Sequence, residues 1–418
     1  MTDRQHLIVI GGGVIGLAAA AELAKRGRDV TLLERDRVGG GASRGNAGQI
    51  CPDLAVPLPS SHSLRLAAGS LWRRGTFLHL HPTSMAILAF LLRFGRASSS
   101  HRYRRSLHAL SALAAMTPFA LQDLVSAGLG VALNTRPYLL VFTSRASAEK
   151  RLRGLNEQWA AGGHPAARVC DYRELAALEP CLAPAARAGV VVEGQVAVNP
   201  STFVDGLARL AASRGVHICE HTPVTGMDTR NGSVSVRTAA GDVGADTALI
   251  AAGVWSHDLL VPLGVRLGIV PGKGYSFSVD VAQPPKHVIM LEDAHIATLP
   301  LDGETRMSGA MDLDEDPERF EPQRIATLIS AAGTYFNGVD WSSRRNEWVG
   351  PRPLTPTGLP FIGAVDAGQR VFVAAGHNML GVTLAPATAI AVADLICDGQ
   401  SRVDMQPFAP VASRGRVH

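Results

Sequence analysis

Arg352 stands between two prolines in Gly350-Pro351-Arg352-Pro353-Leu354-Thr355-Pro356. Proline fixes φ and stiffens its surroundings, which suits holding a guanidinium in one place. Such a guanidinium can clamp a carboxylate through two parallel N–H···O bonds, or pair an internal Asp or Glu in a loop. A second constellation is Gly11-Gly12-Gly13-Val14-Ile15-Gly16, with Glu34 eighteen residues past its last glycine. Gly11 permits a tight turn, Gly13 lets a pyrophosphate approach the backbone, and Gly16 lets a helix pack close to a strand. Val14 and Ile15 open that helix, whose N-terminus turns unpaired N–H groups and partial positive charge toward phosphates. Glu34 is placed to accept hydrogen bonds from the ribose hydroxyls of an adenosine. The ligand that fits these parts is an adenine dinucleotide.

The elements around these residues follow from pattern. Leu7-Ile8-Val9-Ile10 reads as a buried parallel strand, Val14 to Arg26 as a helix stopped by Gly27, and Asp29 to Glu34 as a second strand. Helices are predicted at Arg104 to Ala127, Ala146 to Ala161 and Thr202 to Arg214. Short strands separated by turns run from Val265 to Leu313, which reads as an antiparallel sheet. Val371 to Ala375 returns as a strand, and Leu384 to Cys397 is an Ala-rich helix closed by Gly399. Thr383 is placed to cap that helix and Pro386 to sit in its first turn. For His377 a structural role is expected ahead of acid–base chemistry. The chain is therefore α/β at both ends with a β-rich insertion.

A second G-x-G-x-x-G is absent, because Gly128-Leu129-Gly130 lacks the third glycine. A reductase passing electrons from a nicotinamide to a flavin usually needs two such sites. One site and a mid-chain sheet favour a bound FAD reduced directly by an organic substrate.

Length and composition set the bounds. The chain has 418 residues, 46% hydrophobic and 18% charged, enough for two globular domains. Its five cysteines are scattered and form no C-x-x-C pair, which argues against zinc and a dithiol centre. The first strand begins too early for a signal peptide, and the longest apolar candidate, Met85 to Leu92, is too short for a membrane span. The expected location is the cytoplasm, with peripheral contact at the inner face of the membrane. That contact rests on charge placement. Between Leu54 and Gln122 there is no acid, but there are eight arginines: Arg65, Arg73, Arg74, Arg93, Arg96, Arg102, Arg104 and Arg105. Removing them from the chain's 40 basic residues leaves 32 against 36 acids. With Leu66, Leu71, Trp72, Phe77 and Leu80, residues 65–105 read either as a basic, apolar surface for anionic lipid or as helices with arginine on their wet faces. Aromatic residues are few, at 5%, and no nucleic-acid motif appears, so nucleic acid is not expected as a partner.

Gly11 to Glu34, Ser43-Arg44-Gly45-Asn46-Ala47-Gly48-Gln49-Ile50, Lys273-Gly274-Tyr275-Ser276, Gly350 to Pro356, and Gly376-His377 through Gly381 together resemble the FAD-dependent D-amino-acid oxidase superfamily. Within it, the chain is most similar to bacterial D-amino-acid dehydrogenases, in order and to about residue 400. The resemblance implies a glutathione-reductase-type FAD-binding domain and a substrate domain built on an antiparallel sheet. The FAD domain is expected from 1–60, 146–262 and 349–400; the substrate domain, with its helical basic region, from 61–145 and 263–348; and 401–418 as a loose tail. It implies that Arg352 binds the substrate carboxylate; Tyr275 is a candidate either for lining the substrate pocket or for packing within a strand. Ser43, Asn46, Ala47, Gly48 and Gln49 match a turn passing near the flavin. Val224 matches a strand position whose backbone contacts the adenine, and Ala252 and Gly253 match a turn near the phosphates and ribose. Arg35, Gly350, Gly376 and His377 belong to the same cofactor-contacting set, as do Leu380, Gly381, Val382 and Thr383. One departure stands out: Leu380 to Ala387 is closer to glycine-oxidase and hydroxyproline-dehydrogenase relatives, yet Asn378-Met379 supplies no arginine where glycine oxidases carry one.

The activity so implied is oxidative deamination of a D-amino acid to a 2-oxo acid and ammonia, with hydride transfer to flavin N5 and electrons leaving to a quinone or other carrier. An oxidase of the same fold, a D-hydroxyproline or secondary-amine dehydrogenase, and a non-catalytic nucleotide-binding partner protein stay open as alternatives.

Overall fold

The computed structural model describes residues 5–70, 77–80, 84–159, 165–230 and 232–410. The nucleotide motif lies in a six-stranded sheet ordered His217–Cys219, Asp29–Leu33, His6–Ile10, Thr247–Ile250, Val371–Ala375, Phe361–Ala364. Its pairs are parallel except the last. Strands covered on both faces read as continuous apolar runs, and Leu7 to Ile10 are all buried. Helices Val14–Lys25, Pro200–Ser213 and Gly381–Asp398 cover one face. Ala18 to Ala21 expose nothing and keep the first helix slim enough to lie directly against the last. A three-stranded sheet, Val224–Arg230, Ser233–Thr238 and Gly241–Ala245, covers the other face.

The second large sheet is mostly antiparallel. It runs Val339–Leu354, Val270–Val281, Glu304–Leu313, Ile296–Leu301, Ile289–Leu291, Tyr138–Phe142, Ala188–Val192, Ala167–Asp171, with Leu78–Leu80 beside Glu304–Leu313. Within that run the Ile289–Leu291 and Tyr138–Phe142 pair is parallel. Helix Pro322–Ala332 packs Ile325 and Leu328 against it. The architecture is thus the α/β arrangement expected, a parallel βαβ sheet joined to an antiparallel one.

Several expectations need correction. The helix expected over Arg104 to Ala127 is two, Ser100–Ala114 and Thr117–Ser126, because Pro118 has no N–H to continue the first and suits the opening turn of the second. Residues 146–262 do not all join the nucleotide sheet: Ala167–Asp171 and Ala188–Val192 extend the large sheet, where Val190, Val191 and Val192 are buried. The start of 349–400 likewise belongs to the Val339–Leu354 strand. Ser100–Ser126 and Gly381–Asp398 have the length and apolarity of a span by composition alone, but the first is the pair of helices just described and 72% of the second is buried inside the fold, which is the pattern of core helices. Leu71, Trp72, Arg73, Arg74 and residues 411–418 lie outside the described residues.

Residues 401–410 do not hang loose. Arg402 pairs with Asp394 at 2.9 Å, and Phe408, with no exposed surface, joins the core beneath the nucleotide sheet. Replacing Phe408 by Ala removes a buried ring and leaves a cavity, so we expect a loss of about 3–5 kcal/mol. Thermal unfolding checks this, and an unchanged Tm would show that the segment does not hold the core.

Candidate active site

A cavity of about 640 Å³ opens between the two large sheets. At one end Gly11 turns with φ +110°, and a Cβ there would lie 2.6 Å from the Ala251 carbonyl oxygen. Gly16 does not line the cavity. A Cβ on it would lie 1.9 Å from the Gly11 carbonyl oxygen, so its bareness lets the helix close on the turn. Gly13 caps that helix with no side chain of its own, leaving the N-terminal N–H groups to face the cavity, where the Ser43 hydroxyl accepts from Val14 N–H at 3.2 Å. Glu34 accepts from Gly12 N–H at 2.6 Å and Asp36 N–H at 3.0 Å, and lines the same end. This bare cradle, uncapped helix and acid fit the pyrophosphate and ribose of FAD. Val224, Ala252 and Gly253 line this end too, beside Trp255, whose ring lies 3.8 Å under the Arg35 guanidinium.

The Ser43 to Gln49 turn spans the two sheets. Asn46 accepts from Gly48 N–H at 2.6 Å and donates back to the Ser43 carbonyl. Gly48, at φ +63°, presses on the Val198 carbonyl, where a Cβ would sit 2.1 Å away. Gly45 lies against the Trp348 ring, with room for no Cβ, and its carbonyl accepts from the Ser276 hydroxyl at 2.7 Å.

Arg352 is placed by strand pairing more than by its prolines: it lies opposite Gly272 in the ladder between Val339–Leu354 and Val270–Val281. Its guanidinium passes over Gly274, where a Cβ would come within 2.2 Å, and donates to the Ala310 carbonyl at 2.8 Å. Ala310 has φ +58°, a strained conformation for a residue with a Cβ, held where it turns that carbonyl to Arg352. Among the described residues no carboxylate pairs with Arg352 within 4.0 Å, which excludes the internal-pair reading. The side chain is half-buried because it faces the cavity, yet protein atoms surround it. Desolvation therefore draws its pKa down to about 10, with Asp312 opposing. Tyr275 is both packed in its strand and on the cavity wall; its buried hydroxyl lies near Asp312 without a hydrogen bond of good geometry. Burial, then the Asp312 charge, raise the phenol pKa. Asp312 pairs instead with Arg324 at 2.9 Å.

The helix Gly381–Asp398 points its N-terminus at the cavity, one turn earlier than expected. Leu380 is its cap position, with no side-chain bond, and Pro386 lies inside it. Thr383 is not the cap: its hydroxyl donates to the Gln49 carbonyl at 3.0 Å, tying the helix to the Ser43–Gln49 turn. Gly376, at φ +83°, begins the turn that leads into it. Asn378, also left-handed, donates to the Gly376 carbonyl at 2.9 Å and accepts from Thr355 N–H at 2.9 Å. His377 is buried and bonded to the Thr388 hydroxyl at 3.1 Å, and desolvation lowers its pKa to about 3. It is a neutral packing residue.

Apart from Gly16, every site residue expected from sequence lines this one cavity, including Gly350, Leu380, Gly381 and Val382. Sequence reasoning missed Trp348, Arg151, Glu292 and His295. Trp348 stood two residues before a flagged motif; the other three carry no local signal, because helix Arg145–Trp159 and the 292–295 turn meet only in the fold. Glu292 has its pKa raised by desolvation, with Arg151 opposing.

A family model described as FAD dependent oxidoreductase matches residues 6–395. The D-amino acid dehydrogenase of Phenylobacterium zucineum is 32% identical over 415 residues, covering 96% of each chain. That of Cereibacter sphaeroides is 31% identical, covering 95% of this chain and 92% of its own. Among solved structures, glycine oxidase from Geobacillus kaustophilus superposes with a TM-score of 0.76 at 24% identity over 99% of this chain and all of its own. L-proline dehydrogenase from P. horikoshii gives 0.71 at 17% identity over 98% of both. These two likenesses concern the fold.

His377 couples this site to acid. Unfolded, it takes a proton below its ordinary pKa of 6.5; folded, it stays neutral down to about 3. Its contribution to stability is complete above pH 6.5 and is lost as pH falls toward 3. We expect His377→Gln to flatten the decline in Tm between pH 6.5 and 5. An unchanged slope would show that His377 does not control it.

Proposed function

Because the chain belongs to the family of FAD-dependent oxidoreductases, and is an enzyme of the amino-acid dehydrogenase and oxidase kind, we propose that it deaminates a D-amino acid to a 2-oxo acid and ammonia and passes the electrons to a quinone or similar carrier. The observation that carries this reading is Arg352, a cation facing the cavity with a carbonyl partner and no carboxylate. An amino acid supplies the missing carboxylate. FAD, when bound, takes the α-hydrogen with its electron pair at N5.

The chain's own residues hold and orient. The Gly11 to Gly16 turn and its helix hold the pyrophosphate, Glu34 the ribose, and Val224 the adenine edge. The Ser43 to Gln49 turn and Gly376 to Thr383 flank the ring system, where the uncapped Gly381–Asp398 N-terminus favours negative charge. Arg352 fixes the substrate carboxylate and so the direction of its α C–H. Tyr275 lines the pocket with a free hydroxyl. The buried, neutral His377 has no part in proton transfer, and no protein base is needed at the α-carbon.

The electron carrier calls for an exposed face. Met85, Leu88 and Leu92 project from the helix Met85–Ala97 at 78%, 41% and 65% exposure. Arg65, Arg93, Arg96, Arg102, Arg104 and Arg105 are exposed with no acid among them in sequence. This pattern supports docking on an anionic membrane surface.

Two outcomes are expected. Anaerobic addition of D-amino acids, their L-forms and D-hydroxyproline should bleach the yellow flavin for a D-compound, and colour restored by air with peroxide formation would instead assign an oxidase. Arg352→Ala should lower kcat/KM roughly 30- to 5,000-fold, from about 2–5 kcal/mol of lost charge-assisted binding; unchanged turnover would remove Arg352 from the site. In a separate test, Leu88→Ser with Leu92→Ser should weaken sedimentation with phosphatidylserine-containing vesicles, and equal binding would discard the docking face.

A further inference from the structure

Away from Arg352 the cavity wall on the large sheet carries one charged pair among apolar residues. Met290, Leu140 and Leu54 line it, together with Arg151 and Glu292. Arg151 Nε and Glu292 Oε2 stand 4.0 Å apart, too far for a hydrogen bond. Arg151 Nε is buried and has no hydrogen-bond partner. Glu292 is set firmly, because its N–H donates to the Val141 carbonyl at 3.0 Å. The two charges thus pair at 4.0 Å without a hydrogen bond between Nε and Oε2, and the buried Nε–H is left without an acceptor.

The sheet measures the distance from Arg352. Ala297 lies opposite Ser308, and Leu291 opposite Ile296. Beyond Ile296 the chain turns through 292–295 back into Leu291, so that turn, with Glu292 in it, lies at the end of the sheet where Ala310 stands. The proximity holds in detail, since a Cβ on Gly309 would lie 3.1 Å from the His295 carbonyl. Ala310 carries the carbonyl that receives the Arg352 guanidinium. Two strand spacings, roughly 10 Å, separate the strand of Ala310 from the strand that Glu292 follows. A five-carbon amino acid with a polar end spans such a gap once a hydrogen bond is added at each end.

We propose that Arg151 and Glu292 form the side-chain end of the substrate pocket and select D-amino acids whose side chain ends in a carboxamide. This rests on the D-amino-acid reading above. A carboxamide has both halves the pair lacks: its C=O accepts from Arg151 Nε–H and its NH₂ donates to the Glu292 carboxylate. An ammonium end would meet the Arg151 charge, a carboxylate end the Glu292 charge, and an apolar end would leave Arg151 Nε unpaired.

The test uses the FAD-loaded enzyme with D-glutamine, D-methionine (an apolar chain of similar length), D-glutamate and D-lysine. Anaerobic flavin bleaching gives kcat/KM for each. D-Glutamine should exceed D-methionine about tenfold or more, the penalty for a buried donor left unmade. Arg151→Lys keeps the charge but removes Nε–H, and Glu292→Ala removes the acceptor; each should carry the ratio toward one while the yellow spectrum persists. A native ratio near one, or a ratio unmoved by both substitutions, overturns the proposal, and the native panel decides even if a variant fails to fold. Bleaching by D-methionine with no preference sinks only this inference. No bleaching by any D-amino acid sinks the D-amino-acid reading and this inference with it.

Discussion

A half-buried guanidinium with no carboxylate within 4.0 Å among the described residues is the constraint around which the Arg352 side of the cavity is arranged. Burial of an unpaired charge is unfavourable, and the structure answers with one carbonyl and with space for an anion. Gly274 has no side chain because the guanidinium occupies that volume. Ala310 accepts a left-handed conformation and presents its carbonyl there. Asp312, the acid nearest in effect, is engaged by Arg324 and does not neutralise Arg352. The site therefore presents a positive charge to the cavity that no carboxylate of the described residues balances within 4.0 Å.

The glycine-turn end of the cavity presents the mirror arrangement, backbone N–H groups fit for an anion, with the Arg35 guanidinium held over Trp255 beside them. Bare backbone does the work: Gly11 and Gly16 bring turn and helix into van der Waals contact, and the helix end offers N–H groups. The two halves are locked by the segment from Ser43 to Gln49. It is bonded to Ser276 on one side and Thr383 on the other, with Gly45 pressed on Trp348. A shift of either sheet would move this turn, so the two ends of the cavity are mechanically one geometry.

Buried ionic pairs elsewhere show how unusual Arg352 is. Lys273, fully buried, meets Asp314 at 2.7 Å, and Arg26 meets both Glu22 and Asp394 near the end of the first helix. In each, the fold supplies the countercharge that Arg352 is denied. Arg151 differs in another way: it has a countercharge in Glu292 at 4.0 Å, but its buried Nε makes no hydrogen bond.

The nucleotide-binding unit was legible in the residues because its parts are contiguous: strand, glycine turn, helix and acid follow within Leu7 to Glu34, and each is dictated by local sterics. The same holds for the strand Val371–Ala375 and the Ala-rich helix after it, whose end at Gly399 is a left-handed stop. Arg352 was visible as a residue type, but its role as an unpaired cation was decided by strand pairing, which places Gly272, Gly274 and Ala310 around it. Tertiary packing also decided where Thr383 bonds, why 401–410 is anchored, and that Ala188–Val192 joins the far sheet. Arg151 and Glu292 lie 141 positions apart and meet only because Ile289–Leu291 pairs with Tyr138–Phe142 just ahead of the helix carrying Arg151. Local sterics can be read along a chain, whereas contacts closed by long-range pairing depend on a register that no single segment contains.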